Sequence, residues 1–138
     1  MARRATAYRM KIRDVLRGSY VHSGTITSPN YVDISGTKIN RVMLMGKIAD
    51  TYLNVQSQYG NILLDDSSAK IRVKFFGEGT ARMDGFAAGD IVRVVGKIKE
   101  SNNERFILGE IVKKMDDPNY QMLFDKEVLT FKSEDKGA

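Results

Sequence analysis

From Lys38 onward the chain alternates hydrophobic and polar positions in one short run after another. Over 39–49, Val42, Leu44 and Ile48 fall on one side and Arg41, Met43, Met45 and Lys47 on the other. That period of two marks a half-buried strand. Gly46 interrupts the run where a strand would bend sharply. A second strand is expected over 59–66, ending in the turn-forming Asp65-Asp66-Ser67-Ser68. The third, 70–76, sets Ile71, Val73 and Phe75 against Arg72, Lys74 and Phe76. The fourth, 90–99, sets Val92, Val94 and Ile98 against Arg93 and Lys97, with a further bend at Gly96. Glu100-Ser101-Asn102-Asn103-Glu104 reads as a polar hairpin loop, and 105–115 returns as the fifth strand.

Between the third and fourth strands, residues 77–89 leave room for one short helix over about 80–84, and Gly89-Asp90 supplies the turn into strand four. A helix in that place, with bent strands on either side, predicts an all-β protein: a five-stranded barrel of the oligonucleotide-binding type. A two-sheet sandwich has no need of that helix. Ahead of the barrel, Ser35-Gly36-Thr37 reads as a hairpin turn, and 10–16 as a short strand or a turn of helix. After it, Asp117 is placed to cap a helix that begins at Pro118. Tyr120, Leu123, Phe124, Val128 and Phe131 recur along that helix as one apolar stripe. The expected divisions are a basic arm with a leading hairpin strand (1–37), the barrel (38–115), a C-terminal assembly helix (116–131) and a disordered tail (132–138).

At 138 residues and 42% hydrophobic, the chain suffices for one core. No apolar run approaches the ~20 residues of a membrane span. The basic N-terminus is followed by no apolar region of signal-peptide length, so the chain reads as intracellular. Without cysteine there is no disulfide and no thiolate-bound metal. The net charge of +5 is unevenly spread. The first seventeen residues hold six basic groups against Asp14 alone, 38–115 is mildly basic and 116–138 is acidic. A basic arm and body suit a polyanion, whose condensed counterions they displace.

Several segments, taken in order, carry a likeness. Lys11-Ile12-Arg13-Asp14 and Gly18-Ser19-Tyr20-Val21 come first, then Ile39-Asn40-Arg41-Val42 and Gly46-Lys47-Ile48. Ile62-Leu63-Leu64-Asp65-Asp66 and Ile71-Arg72-Val73 follow. Gly89-Asp90-Ile91-Val92-Arg93-Val94-Val95-Gly96, Glu110-Ile111-Val112 and Asp117-Pro118-Asn119-Tyr120 complete the set. Through these, residues 9–120 resemble the archaeal replication protein A family, above all its small single-barrel subunits related to the middle subunit of the eukaryotic trimer. The resemblance implies sequence-tolerant binding of single-stranded DNA in replication and repair. It also implies assembly with other such subunits through the helix after the barrel. One stacking aromatic of the family falls on Phe76, beside Arg72 and Lys74. The family's second lies in the loop between strands four and five, where this chain has Ser101, Asn102 and Asn103 and its nearest aromatic is Phe106.

The chemistry expected is therefore aromatic stacking with phosphate neutralisation. Phe76 is the leading platform, with Tyr59 and Phe106 as further candidates, and Phe75 points inward by parity. Arg72 and Lys74 are favoured for phosphate, Lys99 and Arg105 rank next, and Arg41, Lys47, Arg93 and Lys97 complete the set. No enzyme activity, cofactor or metal is expected. His22 is the sole histidine, and a metal cluster or nucleophile pair needs more than that. Asp65-Asp66 and Asp116-Asp117 sit where a turn and a cap call for aspartate, and Gly77-Glu78-Gly79 lacks the spacing and lysine of a phosphate loop. Two rival readings keep the fold: an assembly scaffold that binds DNA weakly, and an RNA- or tRNA-binding barrel.

Overall fold

A computed structural model of the chain describes residues 7–22 and 30–115. The expected C-terminal helix with Tyr120, Leu123, Phe124, Val128 and Phe131, the tail, and Arg3 and Arg4 of the arm lie outside the described residues. The elements run β1 (Tyr8–Arg9), α1 (Ile12–Arg17), β2 (Ser19–Val21), β3 (Tyr31–Ile34), β4 (Thr37–Ile39), β5 (Arg41–Asn54), β6 (Tyr59–Asp65), β7 (Lys70–Phe76), a 3₁₀ helix (Gly77–Met83), β8 (Ile91–Ser101) and β9 (Glu104–Lys114).

Strands β5 to β9 close the expected five-stranded barrel. β5 pairs antiparallel with both β6 and β8, β6 with β7, and β8 with β9. A parallel seam between β7 and β9, registered at Val73–Ile107 and Lys74–Leu108, shuts the circle. Closure leaves the barrel sheet without an open edge. β5 spans both halves because it changes partner midway. Its first half lies beside β8 and its second beside β6, and Lys47 is registered with both. Gly46 permits the corner: a Cβ there would sit 2.6 Å from the Asp65 carbonyl oxygen.

The alternation deduced for the strands is the one that fills the core. Val42, Leu44, Ile48, Ile62, Leu64, Ile71, Val73, Phe75, Val92, Val94, Ile98 and Ile107 are all buried in one cluster. Gly109 lies under the Phe75 ring, where any side chain would overlap it. Segment 10–16 resolves as helix α1, and Met10, Ile12 and Val15 are fully buried in the same cluster. The leading residues thus form part of the barrel's core. The Ser35-Gly36 turn, with φ of 52° and 87°, joins β3 to β4, and β3 pairs in turn with β2 to make a separate three-stranded sheet.

Three boundaries differ from expectation. β5 runs on to Asn54, because ladder pairing with β6 holds the polar Thr51 and Asn54 in the strand. The helix between β7 and β8 is a 3₁₀ turn that starts earlier, at Gly77. The loop between β8 and β9 shrinks to a two-residue turn at Asn102-Asn103, with φ of 53° and 64°. Positive φ at both central positions is the geometry whose twist matches a hairpin, and asparagine tolerates it.

Candidate nucleic-acid interface

The outward face of β5–β6–β7 follows from the same alternation. In register, Asn54, Tyr59 and Phe76 form one row across the three strands, and Tyr52, Asn61 and Lys74 the next. Because Phe75 fills the core, its neighbour Phe76 must point out, and it is 51% exposed. Tyr52 is 50% exposed. The Tyr59 ring lies between them, its centroid 5.3 Å from that of Phe76 and 6.1 Å from that of Tyr52. Three aromatic rings therefore share one open face, while the exposed Leu53, in register with Gly60 and the inward-facing Phe75, lies on the other side of the sheet.

A polar relay fixes this row. Arg72 Nη1 donates to Asn61 Oδ1 at 2.9 Å, and Asn61 Nδ2 donates to the Tyr59 hydroxyl oxygen at 3.0 Å. Asn61 is buried, so with both groups bonded it acts as a strut that sets the tyrosine and the guanidinium against each other. Sequence reasoning missed Tyr52 and Asn61 for two reasons. Tyr52 lies beyond the assumed end of the strand. Asn61 looked like one polar residue among several.

The cations divide into used and open. Lys74 Nζ sits 2.7 Å from Glu104 Oε1 and 4.3 Å from the centre of the Phe106 ring. Phe106, at 9% exposed, is covered, which corrects its expected role as an open platform. Arg41 is buried and donates from Nε to Glu110 Oε1 at 2.7 Å. Arg105 donates from Nη1 to the carbonyls of Val15 and Gly18 at 2.9 and 2.6 Å and pairs with Glu100 at 3.0 Å. It thus satisfies carbonyls that the end of α1 leaves without partners. The phosphate role expected of Arg41 and Arg105 is corrected on that ground: both guanidinium groups are structural.

Arg93, Lys97 and Lys99 lie on β8, which pairs with the Arg41–Lys47 half of β5 and with β9, and not with β6, β7 or the Tyr52 half of β5. They are not brought together with the rings. Lys97 is exposed, Lys99 faces Phe106 across the ladder, and Arg93 has a shielded Nε without a partner among the described residues. Lys47 is exposed at the corner of β5. Among the described residues no group of three or more His, Asp or Glu side chains could hold a metal, and no helix is long and apolar enough to cross a membrane.

Comparison with known proteins gives the same fold. A family model described as an OB-fold nucleic acid binding domain matches residues 42–126. An uncharacterized protein of Methanocaldococcus jannaschii is 29% identical over 114 residues, 83% of this chain and 43% of that protein. The chain thus spans less than half the length of that relative. Among solved structures, a chain of the S. pombe Stn1–Ten1 complex superposes with a TM-score of 0.79 at 21% identity, covering 94% of this chain and 93% of the other. A chain of a replication protein A heterotrimer bound to single-stranded DNA gives 0.75 at 18% identity, covering 90% and 93%. Yeast replication protein A bound to single-stranded DNA gives 0.62 at 18% identity, covering 90% of each chain. At these identities the shared feature is the fold.

Proposed function

The chain belongs to the OB-fold nucleic acid binding domain family, and from that premise we propose that it binds single-stranded DNA as one subunit of a replication protein A-like complex in replication and repair. The observation that carries the proposal is the row Tyr52–Tyr59–Phe76. Rings that could have turned into a core are instead held open on the face of the barrel's first three strands. Exposed, clustered aromatics offer each base a π-face without reading its edge, worth about 1–3 kcal/mol per stacked base. Arg72, held beside them by Asn61, supplies charge for the backbone. The activity proposed is binding without chemistry, and assembly with other subunits is assigned to the stripe Tyr120, Leu123, Phe124, Val128 and Phe131.

A second reading has its own support. Glu100, Glu104 and Glu110 each occupy a cation that could have met phosphate. A barrel with its charges so engaged fits a scaffold that binds DNA weakly and acts chiefly in assembly. Fluorescence anisotropy with a labelled strand of ~30 nucleotides separates the two. Under the leading reading, wild type prefers single strand to duplex, and Phe76→Ala weakens binding roughly tenfold, the size of one lost stack. Binding no better than to duplex and indifferent to Phe76→Ala would leave the scaffold. An RNA strand of matched sequence competing as well as DNA would reassign the ligand, since the ribose 2′-hydroxyl is the group that tells the two apart.

A further inference from the structure

At the end of the β5–β6–β7 face away from the rings, α1, the β6–β7 turn and the corner of β5 enclose a cleft of about 410 Å³. Lys11 lines it from just before α1, Arg13 from α1, Lys47 from β5, and Asp65, Asp66 and Ser68 from the turn. Asp66 fixes its shape, accepting from the backbone N–H groups of Ile12 at 2.8 Å, Ser68 at 2.9 Å and Ala69 at 3.2 Å. The Ser68 hydroxyl accepts from the Arg13 N–H at 3.2 Å, and Asp65 accepts from the Ser67 N–H at 2.8 Å. Both carboxylates are therefore engaged in building the turn.

The cations are not so engaged. Among the described residues the Lys11 and Lys47 ammonium groups have no hydrogen bond or ion pair. Arg13 Nε forms an ion pair with Asp14 Oδ1 at 3.9 Å but is shielded from solvent without a hydrogen-bond acceptor. A shielded N–H without a partner is costly, and an anion in the cleft would relieve it. Three cations, Lys11, Arg13 and Lys47, thus line the cleft beside two carboxylates already bonded to the turn's backbone. The Asp65–Lys70 pair lies six residues along the ladder from the Tyr59–Phe76 pair. An even separation keeps both on one face, and six residues span about 20 Å.

We propose that this cleft is a phosphate site for the backbone of a nucleic-acid strand that has run the length of the face. The proposal rests on the single-strand function proposed for the aromatic row, and it makes the bound strand longer than that row alone requires. The test compares oligothymidylates of about 6 and about 16 nucleotides, both within the site sizes of such barrels. Each is titrated with wild type, the combined variant Lys11→Ala, Arg13→Ala, Lys47→Ala, and Phe76→Ala, across a salt series.

The expected result is a fivefold or greater loss by the combined variant on the long strand, and less than twofold on the short one. The slope of log K against log salt on the long strand should become shallower by about 0.7 for each phosphate no longer neutralised. Equal losses on both lengths, or no loss on either, overturn the cleft. Lys113→Ala, which removes a charge from β9, should show no dependence on length; if it does, a general charge effect is at work and the cleft is overturned. Lys47→Ala alone, at an exposed position, gives the same comparison if the combined variant melts early. A short strand indifferent to Phe76→Ala would sink the aromatic reading instead, which keeps the two failures apart.

Discussion

Glu104→Gln should make the barrel bind single-stranded DNA more tightly. Glu104 opens β9 and holds Lys74 at 2.7 Å, with the Lys74 side chain 16% exposed and that of Glu104 46% exposed. In that pose the carboxylate occupies the place a backbone phosphate would take, so a strand must displace it before Lys74 can contribute. With one partner half exposed, the pair belongs to the surface regime, worth roughly 0.2–1 kcal/mol. Removing the competitor therefore tightens binding by about 1.4- to 5-fold at low salt. Glutamine keeps the side chain's length and a carbonyl acceptor while removing its charge. With Lys74 released to phosphate, the salt dependence should steepen by about 0.7 in slope. Anisotropy titrations over a series of salt concentrations, wild type beside Glu104→Gln, read both quantities. Unchanged or weaker affinity with an unchanged slope would refute the reasoning, because Lys74 would then be a structural partner of Phe106 and nothing more.

Two further outcomes follow from the same geometry. Tyr52→Ala should weaken single-strand binding by about fivefold or more in the anisotropy assay, with little change in melting temperature, because the ring is half exposed. Arg105→Ala should do the reverse: stability falls by roughly 1–3 kcal/mol in urea unfolding as the carbonyls at the end of α1 lose their donor, while the salt slope of DNA binding stays as in wild type.

Much of this was legible in the chain. A barrel strand must alternate, and Ile71–Val73–Phe75 against Arg72–Lys74–Phe76 separates the core from the outward face by local pattern alone. What could not be read was which charges are already answered. Arg105 and Lys74 look alike in sequence, but one reaches back across some ninety residues to α1 and the other to Glu104 on a neighbouring strand. Pairings of that range follow from tertiary register. Tyr52 was hidden for a related reason. Thr51 and Asn54 stand where the alternation breaks down, and ladder pairing with β6 carries β5 past the point where local pattern fades. Phe106 sat on the outward side as parity requires, yet Lys74 lies over it, and parity says nothing about what a neighbouring lysine will cover.

The parallel seam between β7 and β9 carries a kinetic consequence. Every other junction of the barrel is a long antiparallel ladder, while this one is registered at two positions only. Both arcs it joins, the β5–β6–β7 meander and the β8–β9 hairpin, are built from near neighbours along the chain and should assemble early, leaving the seam to form late. It is also where the folded barrel should breathe most easily, so among Val73, Lys74, Ile107 and Leu108 the amides that point across the seam should exchange ahead of those bonded within the antiparallel ladders. One of those four residues is the lysine beside the aromatic row. Local opening of the barrel and reshaping of its outer face are thus the same motion.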